Sequence, residues 1–279
     1  MSKLTYTGNG IITAILDTGI YPHADFDNRI LYFHDYVGKK KYPYDDNGHG
    51  THVAGIIAGN GKLSDGRYKG IAPKSQIVSL KILDKRGNGK MEHILSALDW
   101  IRMQKGKIPI RIVNISIGTA DNANKKNKEL IRAVEQLWDE GFIIVTAAGN
   151  MGPQAGTITV PGCSRKVITV GASDMLDGKD GISSVGPTNE CVCKPDLVVP
   201  GAGVISCSST PGKAAYQVKS GTSMSVPVVS GAIALLLEKD PLLQNVEVKM
   251  LLKEACVDLG YDRNQQGWGK LDIDKLLRL

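Results

Sequence analysis

The sequence predicts an α/β fold, a mainly parallel central sheet with helices on both faces. Short apolar runs of three to eight residues alternate with longer segments whose apolar positions recur at three- and four-residue spacing. The joints between them are short and rich in Gly, Asn and Asp. No Pro/Ser linker, composition shift or internal repeat divides the chain, so one domain over residues 1–279 is expected.

The strands expected in order are Gly10–Leu16, Gln76–Leu83, Arg111–Ile115, Phe142–Ala147, Lys166–Val170 and Leu197–Val199, each an apolar run bounded by turn residues. The helices expected are Gly50–Ile57, Met91–Gln104, Lys128–Glu140, Ser223–Lys239 and Glu247–Ala255. The third shows the period plainly, with Leu130, Ile131, Val134 and Leu137 on one face. The first is rich in small residues, which permit close packing against a neighbour.

Composition excludes several classes. The net charge is +6, and the lysine clusters Lys39-Lys40-Lys41 and Lys125-Lys126 are read as solvated faces, without aromatic residues placed to stack on bases. No nucleic-acid partner is expected. The longest strongly apolar stretches, such as Ala232–Leu237, run to six residues; a membrane span needs about 20. Five cysteines are too few for a disulfide scaffold and leave an odd thiol, which favours free thiols and a reducing compartment. The N-terminal residues lack the apolar core of a signal peptide and enter a strand pattern by Ile11, leaving no room for a prosegment. A cytoplasmic location is the expectation, with secretion the alternative if the chain is trimmed from a precursor.

Three segments carry chemistry. Asp17, in Leu16-Asp17-Thr18-Gly19, follows an apolar run and so sits at the carboxyl edge of the sheet, where open α/β sheets place their ligands. His49 opens the small-residue helix in Gly48-His49-Gly50-Thr51-His52. His49 and His52 lack the intervening Glu and the third ligand of a zinc pattern, and His52 reads as a packed histidine. Ser223, in Gly221-Thr222-Ser223-Met224, lies at a helix N-terminus, where free N–H groups favour negative charge. Singly, Asp17 reads as a turn residue and Ser223 as a cap. Together, Asp, His and Ser in that order are the parts of an activated serine nucleophile.

These blocks resemble the signature blocks of the subtilisin-like serine proteases, and Ala147-Ala148-Gly149-Asn150 resembles a fourth. The similarity extends over Gly70-Ile71-Ala72-Pro73, Lys194-Pro195-Asp196 and Gly267-Trp268-Gly269, from about Tyr6 to Leu279. Val228 and Val185 depart from it, standing where members often have His and Arg. The resemblance implies a subtilisin-like fold and a serine endopeptidase, with Ser223 as nucleophile, His49 as base, Asp17 orienting the imidazole, and Asn150 with the Ser223 N–H holding the oxyanion. It implies a peptide or protein substrate flanked by Gly87-Asn88-Gly89 and Ser116-Ile117-Gly118, with Ala147, Ala148 and Gly149 walling the main specificity pocket. Met91 is a candidate cover for a further pocket. The acyl-enzyme can pass to water or to an amine, outcomes that the sequence does not separate. Control is expected from narrow specificity or a proteinaceous inhibitor. Some members hold structural calcium; Asp84–Asn88 and Ser64–Gly66 carry oxygens but no EF-hand pattern, and no cofactor or metal is assigned.

Overall fold

The computed structural model describes residues 6–119, 125–177, 182–210 and 214–279. Its central sheet contains β1 (Ile12–Asp17), β2 (Ile30–Asp35), β3 (Gln76–Lys81), β4 (Ile110–Ile115), β5 (Ile143–Ala147), β6 (Ile168–Ala172) and β7 (Leu197–Val199). A separate antiparallel hairpin pairs β8 (Val204–Cys207) with β9 (Tyr216–Lys219), and β10 (Cys256–Val257) and β11 (Lys270–Leu271) close one end of the main sheet. The helices are α1 (His49–Ala58), α2 (Met91–Met103), α3 (Lys125–Asp139), α4 (Thr222–Lys239), α5 (Asn245–Ala255), α6 (Arg263–Gln266) and α7 (Ile273–Leu276).

The order across the sheet is β10-β11-β7-β6-β5-β4-β1-β3-β2, parallel throughout except for the β10–β11 pair. From β1 the chain first builds outward through β2 and β3, then crosses to the other side of β1 with β4. The direction of winding therefore reverses between β1 and β4, and a crevice opens beyond their carboxyl ends, the usual ligand position of such a sheet.

Strand periodicity decides which side chains reach that crevice from which face. Side chains alternate along β1, so Thr13, Ile15 and Asp17 share a face. Ile15 packs with Val53, Ala54 and Ile57 of α1, while Ala14 and Leu16 belong to the core that includes Ile94, Ala97, Leu98 and Ile101 of α2. The register pairs Ile15 with Asn114, whose Oδ1 accepts from Ser230 Oγ of α4. Asp17 thus lies on the face that carries both α1 and α4. Helix α4 is buried around almost its whole circumference, as expected of an apolar helix lying between the sheet and α1.

All the expected strands and helices form, with ends shifted by up to three residues at most joints. Strand β2, the β8–β9 hairpin, β10, β11, α6 and α7 were not expected. β2 is an edge strand with mixed exposure: its apolar run is only Ile30–Phe33, it ends in His34 and Asp35, and it shows no clean alternation.

Candidate active site

The meeting of Asp17 with His49 follows from the packing of α1 on the end of β1. A Cβ at Gly50 would stand 2.2 Å from the Gly19 carbonyl oxygen and 3.1 Å from Asp17 Cβ, so only glycine lets the first turn of α1 come this close. His49 Nδ1 then donates to Asp17 Oδ1 over 2.7 Å. The same oxygen accepts from the Thr18 amide at 2.7 Å, while Asp17 Oδ2 is buried without a hydrogen-bond partner among the described residues. The aspartate is 1% exposed and the imidazole 24%. Burial pulls the His49 pKa down, but the charge and hydrogen bond of Asp17 outweigh it and hold the value above the ordinary 6.5.

Two residues that the sequence reading passed over hold this frame. Asp45, buried, caps α1 from outside the helix: Oδ2 accepts from Thr51 N at 2.9 Å and Thr51 Oγ1 at 2.7 Å, and Oδ1 from Gly48 N at 2.8 Å. Oδ1 also accepts from Thr18 Oγ1 at 2.9 Å, tying the cap to the residue after Asp17. Burial opposes the Asp45 charge, but these donors win and hold its pKa below the usual carboxylate value. Lys81 of β3 is opposite Asp17 in register and wholly buried; its ammonium donates to Thr18 O, to Leu83 O at 3.0 Å and to Asp46 Oδ1 at 2.7 Å. A Lys ending an apolar strand is the signal that could have found it.

Ser223 is the second residue of α4, so its N–H has no partner within the helix. The Thr222 N–H donates to Asn150 Oδ1 at 2.9 Å, and Thr222 Oγ1 lies 3.0 Å from the same oxygen. Because an N–H must meet an acceptor, these bonds fix which end of the amide is Oδ1 and so which end is the NH₂ donor. Gly221, at φ 134°, leaves room for it: a Cβ there would lie 3.0 Å from Asn150 Nδ2. Ser223 Oγ donates to Ser116 O at 2.8 Å. No hydrogen bond joins it to His49 among the described residues. The structure thus joins Asp17 to His49 at the end of β1, and Ser223 to Ser116 just past β4, the two strands at which the winding reverses.

Comparison with known proteins agrees with this arrangement: the profile of the Subtilase family matches residues 8–269. The chain belongs to the subtilase family. Serine protease AprX of Bacillus subtilis (strain 168) is 41% identical over 275 residues, covering 90% of this chain and 62% of its own. The Minor extracellular protease Epr of the same organism is 34% identical over 96% of this chain and 38% of its own. The chain therefore spans less than two thirds of each of these relatives. Among solved structures, Sphericase superposes with a TM-score of 0.80 at 29% identity, covering 96% of this chain and 92% of that one.

On this subtilase frame the segments expected to hold substrate border one cleft of about 440 Å³. Gly87 and Gly89 line one side and Ile117 and Gly118 the other, over a floor that includes Ile94, Leu130 and Val160; Met91 lines it too. Asn88 is exposed outside the lining, and Ser116 lies between the cleft and Ser223. Ala147, Ala148 and Gly149, expected to wall a specificity pocket, do not line this cleft: Ala147 and Ala148 are buried, and the Ala148 carbonyl accepts from Thr159 N at 2.9 Å and Thr159 Oγ1 at 3.1 Å while its N–H donates to Val170 O at 2.9 Å. Gly149 N–H donates to Thr222 Oγ1 at 3.3 Å.

In the two segments with candidate calcium oxygens, one side-chain oxygen each is engaged in local bonds. Asp84 Oδ1 accepts from Arg86 N at 2.8 Å and Asn88 N at 2.9 Å, and Ser64 Oγ donates to Gly61 O at 3.0 Å and accepts from Tyr68 N at 3.0 Å. His52 Nε2 donates to Val204 O and Gln217 O, each at 3.1 Å, so it points away from His49. All five cysteines are free.

Proposed function

We propose that this chain is a serine endopeptidase that cleaves peptides and proteins by way of an acyl-enzyme. The observation that carries the reading is the 2.7 Å bond from His49 Nδ1 to a buried Asp17 carboxylate, at the sheet edge that also holds Ser223. That bond sets the tautomer: Nδ1 carries the proton, so Nε2 is a free base. Ser223 Oγ attacks the scissile carbonyl, its proton passes to His49 Nε2, and the imidazolium is stabilised by Asp17. The oxyanion takes hydrogen bonds from Asn150 Nδ2 and the Ser223 N–H, both oriented before substrate arrives. Collapse breaks the C–N bond, His49 returns the proton to the leaving amine, and water releases the acyl group by the same steps in reverse.

Gly87–Gly89 and Ser116–Gly118 favour an extended peptide added between them by main-chain hydrogen bonds. A proteinaceous inhibitor would work by laying an extended segment along the same cleft. On location, the name of Epr as an extracellular protease favours export over the cytoplasmic setting expected from the cysteines and the N-terminal residues. Among the described residues no helix is long and apolar enough to cross a membrane. Two measurements test the reading. A fluorophosphonate should add one adduct to the intact mass, located on Ser223 by peptide mapping; no adduct, or one elsewhere, overturns the assignment. Fractionation of the natural cells into medium and cytosol decides the location.

A further inference from the structure

Strand β2 is the last in the sheet, and no strand lies on its far side among the described residues. Between Tyr32 and Tyr44 the chain holds four of its nine tyrosines, followed or flanked by the run Lys39-Lys40-Lys41. All three lysines are exposed, and none is in an ion pair among the described residues. The nearby acid Asp35 is buried, its carboxylate taken by the amides of Val37, Gly38 and Lys40 and by the Tyr44 hydroxyl. Between this loop and the strand runs a groove of about 570 Å³, lined from Tyr32 to Lys41.

The groove is close to the cleavage site. Asp35 pairs with Lys81, and Lys81 with Asp17, so it opens at the same carboxyl edge of the sheet, two strands or about 10 Å from Asp17. The loop that forms it continues through Tyr44, whose carbonyl accepts from Ile20 N at 3.1 Å, to Asp45 and His49.

We propose that this groove is an exosite for an acidic, extended segment of the protein substrate. The proposal rests on the peptidase reading above and names part of what it cleaves. Three lysines without carboxylate partners supply the charge complement. The open edge of β2 supplies main-chain donors and acceptors for an added strand. Lysines that merely blunt an edge would sit on the strand itself; here the exposed strand side chains include Leu31 and His34, and the lysines lie beyond in the loop. A single-stranded nucleic acid fits less well, because stacking along a strand needs several free ring faces, and of the four tyrosines only Tyr42 is largely exposed, with the Lys40 ammonium 5.9 Å from its ring. Tyr32 is stacked on Trp100 at 4.6 Å, Tyr36 leans on His34 at 4.4 Å, and Tyr44 lies beneath Lys40 at 4.2 Å and Lys81 at 4.9 Å.

The test uses one cleavable peptide core carrying, through a flexible linker at either end, a polyglutamate or a polyglutamine tail. The polyglutamate form should be cleaved with kcat/KM about tenfold higher, through KM, with the advantage lost in high salt. The variant K39Q/K40Q/K41Q should lose that preference and cleave the glutamine-tailed peptide as the unaltered enzyme does, which also reports its folding. Binding of the labelled glutamate tail to Ser223→Ala, followed by anisotropy, reads the surface independently of turnover. Tail binding without cleavage by the unaltered chain would sink the peptidase reading while leaving the groove's acid preference standing. Equal rates for the two tails, a preference that survives in the triple variant, or equal binding of oligothymidine would overturn the exosite.

Discussion

Ser223 Oγ gives its hydrogen bond to the main-chain carbonyl of Ser116, 2.8 Å away, instead of to His49. That carbonyl begins the extended segment proposed to pair with substrate, so an incoming peptide N–H competes for the same acceptor. On the proposed mechanism, docking would free the hydroxyl to turn to the imidazole; catalytic bonds of this kind are often made only in the substrate complex. Ser223→Ala is expected to keep its melting temperature within a few degrees and to lose kcat by several orders of magnitude, about 10⁶-fold. A variant retaining a tenth of the activity in steady-state assays would remove Ser223 from the mechanism.

The bond from His49 to Asp17 sets the acid side of the pH profile. His49 must be neutral to accept the serine proton, and its pKa lies above 6.5 because Asp17 outweighs burial. The rate constant kcat/KM should therefore rise with pH through an apparent value above 6.5 and then level. Asp17→Asn should cost about 10⁴-fold in kcat by spoiling the tautomer, and should move that limb to lower pH. An unchanged limb in the variant would show that another group is being titrated.

How much of this could be read from the sequence depends on the range of the interaction. Asp17, His49 and Ser223 each stand in a local block of small residues, and the parallel core strands are apolar runs; both are visible without coordinates. Asp45 was not, because it caps α1 from four residues before His49, outside the position where a cap is sought. Lys81 was hidden likewise, since its burial depends on carbonyls of Thr18 and Leu83 that the fold brings around it. The run Lys39–Lys41 looked like a plain solvated face although Tyr36, Tyr42 and Tyr44 flank it in the chain; what the sequence does not show is that Lys40 lies over the Tyr44 ring and that the loop and β2 border a groove.

Asn150 has two separable jobs. Its Oδ1 receives the first N–H of α4, and on the proposed mechanism its NH₂ donates to the oxyanion. Asn150→Ala should lower kcat by roughly 10² to 10³ with KM nearly unchanged, and should also cost about 1 kcal/mol of stability for the lost N–H acceptor. Steady-state kinetics and a urea melt read the two effects apart. A change confined to KM would contradict the oxyanion role.

Asp45 is expected to influence the reaction through α1. Replacing it by Asn keeps its size but ends the charge that gathers the donors of Gly48, Thr51 and Thr18. A loss of about 2 kcal/mol in a urea melt is expected for a buried, multiply bonded carboxylate, with a fall in kcat because His49 starts the helix that Asp45 caps. If kcat falls while the acid limb of the pH profile stays in place, Asp45 is a positioning residue. A displaced limb would mean that its charge acts on His49 directly.

His52 predicts acid sensitivity of the fold, separate from that of the reaction. Nε2 is held by the carbonyls of Val204 and Gln217, while Nδ1 is buried with no partner. A second proton would sit there without an acceptor, and burial accordingly lowers the pKa to about 4. Below pH 6.5 the unfolded chain takes up a proton that the native state refuses until about pH 4. Stability must therefore fall as pH drops across that window, by roughly 3 kcal/mol in all. Urea melts at successive pH values measure the slope. In His52→Gln, where an uncharged amide can still donate to one of the two carbonyls, the part of the slope between pH 4 and 6.5 due to this residue should vanish. An unaltered slope would assign the acid sensitivity to other groups and leave His52 a packing residue only.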